Sequence, residues 1–315
     1  MTRIAIVGAG LIGRAWALSF ARAGHDVALT DATPSQIEPA LAFIESALGE
    51  LATFDLLNGE EPAVVRQRIR AASNLGDALA GATHVQENAP EELKTKRAVF
   101  AELDRLAAPD AVIASSTSAL LPSAFTEALP GRARCLVAHP INPPYLVPAV
   151  EIVPAPWTNP AVVERTRRLM ADAGQAPLVL RHEIDGFVVN RLQGALLQEA
   201  FRLVADGQAT VEDVDVAIRD GLALRWSFMG PFETIDLNAP GGVRDYIARY
   251  HGIYDRLFER QKRRADWEGP VIDTIEAARQ THLDRSELTK RSDWRDRRLM
   301  ALAAHKRDAA KKIGD

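Results

Sequence analysis

Cysteine occurs once, at Cys135, so no disulfide can form within the chain, and a reducing, cytoplasmic setting fits. Charge of one sign is also lacking: 38 Lys and Arg against 42 Asp and Glu leave a net charge of -4. Such a balance gives no electrostatic reason for a nucleic-acid or anionic-membrane partner. No apolar run approaches the roughly 20 residues of a membrane span. The first apolar run, Ile4–Val7, begins beside Met1 and leaves no room for a signal or transit peptide. What is present is a 315-residue chain with 47% hydrophobic residues. That is enough for a full core in one large or two ordinary domains.

Short apolar runs alternate with helical patterns through the first half. The strand candidates are Arg3–Val7, Asp26–Thr30, His84–Glu87, Ala111–Ala114, Cys135–Ala138 and Ala149–Val153. Helices are predicted over Ile12–Ala23, Ser35–Leu51, Leu93–Ala107 and Pro160–Ala173, with a helical hairpin across Ser35–Arg70. Near-continuous apolar strands separated by helices imply a mainly parallel sheet covered on both faces. From Asp185 onward the pattern is helical: Phe187–Val204, Val211–Asp220, Pro231–Arg249 and a basic amphipathic stretch, Arg291–Lys312. The expected architecture is an α/β Rossmann-type doubly wound domain over 1–182 and an all-α domain over 183–315. Apolar residues cover a wide arc of Phe187–Val204, more than one neighbour can bury, so the helical domain is expected to form a homodimer.

Gly8, Gly10 and Gly13 make GxGxxG directly after the strand Ile4–Val7 and at the start of a helix. In that context the first glycine permits the turn, the second lets backbone approach a pyrophosphate, and the third lets helix and strand pack closely. The amides at the helix start, around Leu11 and Ile12, would face the phosphates. Asp31 ends the next strand, followed by Ala32 and Thr33 and no arginine. A carboxylate there accepts from ribose hydroxyls and repels a 2′-phosphate, so the expected cofactor is NAD. No metal is expected.

Oxidising an alcohol requires a base for the hydroxyl proton, and a near-neutral histidine suits that role. His139 follows the apolar run Leu136–Ala138 at a strand end, where ligands bind in doubly wound sheets. Glu151, inside another apolar strand, needs a partner to be tolerated there, and His139 is the natural one.

With these residues in place the chain resembles the 3-hydroxyacyl-CoA dehydrogenase family over nearly its whole length. The resemblance is carried by IAIVGAGLIG, QENAPEELKTK (86–96), SSTSALLPS (115–123), HPINPPYLVPAVEIV (139–153) and DGFVVNRLQGALLQEAFRLV (185–204). It implies a Rossmann domain, a helical dimerisation domain and a catalytic site between them. It further implies His139 as general base with Glu151 as its carboxylate partner, and Ser118 as the serine that hydrogen-bonds the substrate oxygen. Asn190, in the family's GF-x-x-NR segment, would orient substrate. Glu91 and Lys96 would contact the ribose side of the cofactor. Read without the resemblance, Ser118 and Asn190 also suit caps, and Glu91 with Lys96 an exposed pair at a helix start. One departure stands out: the family often has asparagine before the Thr-Ser pair, where this chain has Ser116.

SSTS, VAHP-x-NPPY, GLALRWSFMGPFETIDLNAPGG and WRDRRLMALAAHKR are similar to one branch of the family, that of L-gulonate 3-dehydrogenase. This branch, like its L-carnitine dehydrogenase sibling, acts on a free 3-hydroxy acid and not on a thioester. A small free acid needs a fixed cation, and Arg225 is the candidate, since arginine grips carboxylate bidentately. A structural ion pair is its alternative role. Trp226 and Phe228 are expected in the core, with a pocket-shaping role as their alternative. A coenzyme A ester remains the alternative substrate. The 3-hydroxyisobutyrate and 6-phosphogluconate dehydrogenases share the two-domain plan but use a helical lysine, where this chain offers Asn190 and Arg191. A non-catalytic NAD-binding structural or sensing protein would have no chemical need of Ser118, His139, Glu151 and Asn190 together.

Overall fold

The computed structural model describes residues 2–314. Eight strands form one sheet: β1 (Arg3–Val7), β2 (Asp26–Thr30), β3 (Ile69–Ala71), β4 (His84–Glu87), β5 (Val112–Ser115), β6 (Cys135–Pro140), β7 (Ala149–Pro154) and β8 (Ala176–Val179). Their order is β3-β2-β1-β4-β5-β6-β7-β8. Every neighbouring pair is parallel except β6 with β7. The six expected strands are present. The edge strands β3 and β8 were not expected: β3 has three residues, and β8, though apolar, contains Pro177, which argues against a strand in sequence.

The sheet is covered on both faces, which is why β1, β2, β5, β6 and β7 carry mostly apolar residues. Ile4 and Ile6 of β1 point to one face, packed with α1 (Leu11–Arg22), α2 (Ile37–Thr53) and α4 (Pro160–Asp172). Ala5 of β1 and Val85 of β4 point to the other face, with α3 (Leu93–Leu106) and the short helices Leu75–Leu79 and Pro122–Thr126. The strand order reverses on either side of β1, where β2 and β4 both lie beside it. The carboxyl ends of the strands there are where a doubly wound sheet binds its ligand.

The chain divides into two compact units, and the first runs through Val188, six residues beyond the expected boundary, and takes in Asp296–His305. The expected 183–315 domain therefore loses a piece to the first unit. That piece is the middle of the last helix, α7 (Leu288–Ile313). Met300 is 1% exposed in the first unit's core, Arg297 pairs with Glu50 at 2.7 Å, and Asp296 accepts from the Tyr145 hydroxyl at 3.0 Å.

The second unit is helical, as expected. It contains α5 (Val189–Ala205), the short helices Val211–Val216, Ala223–Trp226 and Pro231–Leu237, and then α6 (Gly242–Gln261) and Pro270–Gln280. The single helix expected over Pro231–Arg249 is two. Asn238, Ala239, Pro240 and Gly241 interrupt it, and Gly242 turns the chain at φ +70°. The expected start of α5 also moves: Phe187 lies outside the helix, in a left-handed conformation. Arg202 is the one buried residue of α5, and it donates to the Arg260 carbonyl at 2.8 Å. No residue of α6 is buried, and Leu192 of α5 is 66% exposed.

Candidate active site

The glycine loop shows three different needs. Gly8 has φ +97°, and a Cβ there would lie 2.9 Å from the Asn88 carbonyl oxygen. A Cβ on Gly13 would sit 1.8 Å from the Gly8 carbonyl oxygen, so helix α1 can lie this close only without one. A Cβ on Gly10 would meet nothing within 4 Å; it would project into open space, where a pyrophosphate needs backbone access. The first turn of α1 has no side-chain cap and no acidic residue, so the early amides, including those of Leu11 and Ile12, meet no competing carboxylate. Asp31 is fixed at the end of β2: one oxygen accepts from the Ala9 amide and the other from the Thr33 amide, both at 2.7 Å. Each oxygen keeps a lone pair for a ribose hydroxyl. These residues fit NAD.

His139 and Glu151 face each other directly, because β6 and β7 are the one antiparallel pair in the sheet. A parallel neighbour would carry a residue at this level near its end. The reversal brings one near the start of β7 to the carboxyl edge of β6, and residues opposite one another point to the same face. His139 Nδ1 lies 2.8 Å from Glu151 Oε2, with the histidine 7% and the glutamate 0% exposed. An ionised carboxylate only accepts, so Nδ1 carries the proton and Nε2 of the neutral ring keeps its lone pair. Nε2 has no protein hydrogen-bond partner among the described residues. The other glutamate oxygen accepts from the Val188 amide at 2.7 Å. That amide is aimed by two consecutive left-handed residues, Gly186 at φ +73° and Phe187 at φ +48°. A bulky residue in this region is strained, and Phe187 is held there by complete burial against the His139 ring, 5.6 Å between centroids.

The Ser118 loop is gripped by Glu91, which accepts from the Thr117 hydroxyl and from the Ser118 and Ala119 amides, the last two at 3.3 and 3.2 Å. Ser118 itself is exposed. Lys96 differs from expectation. It is 1% exposed, and its ammonium donates to both Glu87 oxygens at 2.8 and 2.9 Å and to the Ala89 carbonyl at 2.9 Å. An ammonium has three donors, and all three are used inside the protein, so none is left for a ribose. Glu87 also accepts from the Ser115 hydroxyl at 2.6 Å, and the pair joins β4, β5 and α3.

The second unit carries the remaining expected residues. Asn190 lies in the first turn of α5, and Arg225 is exposed on the helix Ala223–Trp226. Trp226 and Phe228 do not enter the core; they are 40% and 69% exposed. Sequence reasoning passed over Phe187, the Val188 amide and Thr117, all within motifs it had quoted. It also passed over Gln86, buried on β4; three polar residues, His84, Gln86 and Glu87, in one four-residue strand were the available signal.

A doubly wound sheet with a GxGxxG loop, a carboxylate fixed at the next strand end and a buried histidine–carboxylate pair fits an NAD-dependent oxidoreductase. The chain matches the 3-hydroxyacyl-CoA dehydrogenase NAD binding domain over residues 3–184 and the C-terminal domain of the same enzymes over 186–281. It belongs to the 3-hydroxyacyl-CoA dehydrogenase family. Among its relatives, the lambda-crystallin homolog of Bos taurus is 43% identical over 95% of this chain and 94% of that protein. The L-carnitine dehydrogenase of Pseudomonas putida is 38% identical over 78% of this chain and 76% of that one. Among solved structures, the 5-formyl-3-hydroxy-2-methylpyridine 4-carboxylic acid 5-dehydrogenase, an NAD+ dependent dismutase, superposes with a TM-score of 0.82 at 27% identity. That match covers 96% of this chain and 98% of the other. No described helix is long and apolar enough to cross a membrane.

Proposed function

We propose that the protein oxidises the 3-hydroxyl of a small free L-3-hydroxy acid, L-gulonate or a close analogue, to the 3-keto acid. The observation that carries this reading is the buried His139–Glu151 pair with Nε2 left open. NAD, when bound, accepts the hydride from C3. Nε2 of His139 takes the hydroxyl proton, and the Glu151 carboxylate stabilises the resulting imidazolium through Nδ1. Ser118 hydrogen-bonds the substrate oxygen, and its loop is braced by Glu91. Asn190 orients the substrate, and Arg225 takes the carboxylate. Asp31 binds the adenosine ribose; Glu91 Oε2 retains one lone pair for a ribose hydroxyl beyond the bonds Glu91 makes to the Ser118 loop.

The preference for a free acid is supported by full-length similarity to the lambda-crystallins and by the L-carnitine dehydrogenases, one of which is 38% identical over 88% of this chain. The test is NADH formation with L-gulonate, L-carnitine, L-3-hydroxybutyrate and 3-hydroxybutyryl-CoA. Turnover with L-gulonate above the others is expected; activity only with the thioester would overturn the free-acid reading. NAD binding without turnover of any of them would favour a structural or sensing role. The helical unit is read as the homodimer interface, supported by α6, which buries nothing over 20 residues, and by Leu192. Light scattering at micromolar concentration is expected to give twice the chain mass, and a monomer would refute it. A cytoplasmic location is supported by the lone cysteine, Cys135, which leaves the chain without an internal disulfide.

A further inference from the structure

Gln86 is fully buried on β4, opposite Ala114 of β5, which in turn lies opposite Leu136 of β6. Ala114 is small enough for the glutamine side chain to cross over it and reach the next strand. Its Nε2 donates to the Ala138 carbonyl at 3.1 Å and to the Ser116 hydroxyl oxygen at 2.7 Å. The β5–β6 backbone ladder ends at Ser115 and Val137. Beyond it the chain of β5 leaves the sheet toward Ser118, and the glutamine amide spans the gap.

Every group in this network has one assignment. Gln86 Oε1 can only accept, so His84 Nε2, 3.1 Å away, donates to it. That orients the amide and commits both Nε2 protons to Ala138 and Ser116. The Ser116 hydroxyl accepts a second bond, from Trp16 Nε1 at 3.1 Å, and donates to Asn88 Oδ1 at 2.7 Å. Its one donor and two lone pairs are then exhausted. Asn88 Nδ2 donates to the Val7 carbonyl at 3.3 Å and to the Gln86 carbonyl at 2.9 Å. The network thus ties together the residue before His139, the residue two before Ser118 and the residue before Gly8. Ser116 stands where the family often has asparagine, and here its hydroxyl receives both the indole and the amide while donating once.

We propose that Gln86 and Ser116 form a positioning bridge that sets the separation between Ser118 and His139. Neither touches reacting atoms; both act through the strand ends they join. The proposal rests on reading His139 and Ser118 as the proton acceptor and the substrate-oxygen ligand. Its signature is a loss of kcat with the binding steps intact.

The test compares Gln86→Met, Ser116→Ala, the double variant and Ser116→Thr in the full-length protein, using the panel substrate with the highest turnover. Each single variant is expected to lower kcat by at least about tenfold, within the ~10²-fold that a 1 Å misplacement costs. KM and the calorimetric Kd for NAD are expected to stay within about twofold. The double variant should lose no more than the worse single one, since the two residues act as one unit. Ser116→Thr, which keeps the hydroxyl, should recover most of the turnover. If Gln86→Met does not fold, Ser116→Ala carries the test alone, because it removes one oxygen from a half-buried position. Wild-type kcat in the folded variants overturns the proposal. So does a fall in kcat matched by equal losses of NAD affinity and melting temperature, because that is ordinary destabilisation. His139→Ala is run beside them. If it keeps wild-type turnover, the reading of the base fails; if it is inactive while the bridge variants are normal, the bridge alone fails.

Discussion

Two fully buried carboxylates lie in this sheet, and they end differently. Glu87 at the end of β4 is paired with Lys96, and every ammonium donor is consumed within the protein. Glu151 on β7 is paired with His139, and the ring is left with one open nitrogen. Both must offset the desolvation of a buried carboxylate, Glu87 with a charged ammonium and Glu151 with the N–H of a neutral ring and a backbone amide. The first joint is closed and can only hold β4, β5 and α3 together. The second is closed on one side only, so it can accept a proton without losing its buried partner. A buried carboxylate with a basic partner does not by itself point to catalysis; what separates the second pair is the ring nitrogen left open.

Four measurements break or sharpen that contrast. The largest effect is expected at the open pair. His139→Ala should lower kcat by about 10²–10⁴-fold in steady-state NADH formation, the usual range for a positioned acid–base group. Retained turnover would erase the distinction between the pairs. At the closed pair, Lys96→Met leaves Glu87 buried with no counter-charge and should cost about 3–5 kcal/mol in urea unfolding. A wild-type midpoint with a weakened NAD Kd would instead return Lys96 to the cofactor.

The third measurement contrasts two histidines. His84 is buried on β4, and burial lowers its pKa from 6.5 to about 4, only partly offset by the bond to Gln86. Between those values the unfolded chain holds a proton that the folded ring does not. The stability this ring supplies is therefore present above pH 6.5, falls as pH drops, and is gone below about 4. The full loss is on the order of 3 kcal/mol. His84→Gln should flatten the acid side of the stability curve, and an unchanged slope would show that another group carries it. The smallest effect is expected at Asp31. Asp31→Ala should reduce the preference for NAD over NADP by about tenfold, the scale of one charged hydrogen bond. An unchanged ratio in the two cofactors' kcat/KM would mean that Asp31 only braces the glycine loop.

The nucleotide half was legible because its signals are local. Gly8, Gly10, Gly13 and Asp31 sit at short spacings whose meaning depends on one strand, one turn and one helix. His139 and Glu151 were legible through a burial argument, though not the antiparallel reversal that makes them face each other. Less visible were groups whose role is set across strands. Gln86 reaches Ala138 only because Ala114 lies between them, a fact of register. Lys96 has a charge that reads as surface until Glu87 is placed beneath it. Phe187 fits a helical apolar pattern, yet adopts φ +48° because burial against His139 outweighs local preference. Trp226 and Phe228 read as core, yet they are 40% and 69% exposed, because an aromatic type alone does not say which side of the chain is covered.

The last helix has one more consequence. Met300 fills the core of the nucleotide-binding unit, and Asp296 holds the hydroxyl of Tyr145 in the loop after His139. During synthesis, that unit emerges from the ribosome more than a hundred residues before the segment that completes it. Its amino-terminal part must wait, partly assembled, with the seat for Met300 open. The order in which the polypeptide is made therefore differs from the order in which its core is finished, and chains stopped short of Asp296 are expected to expose that seat to protease while the glycine loop is already folded.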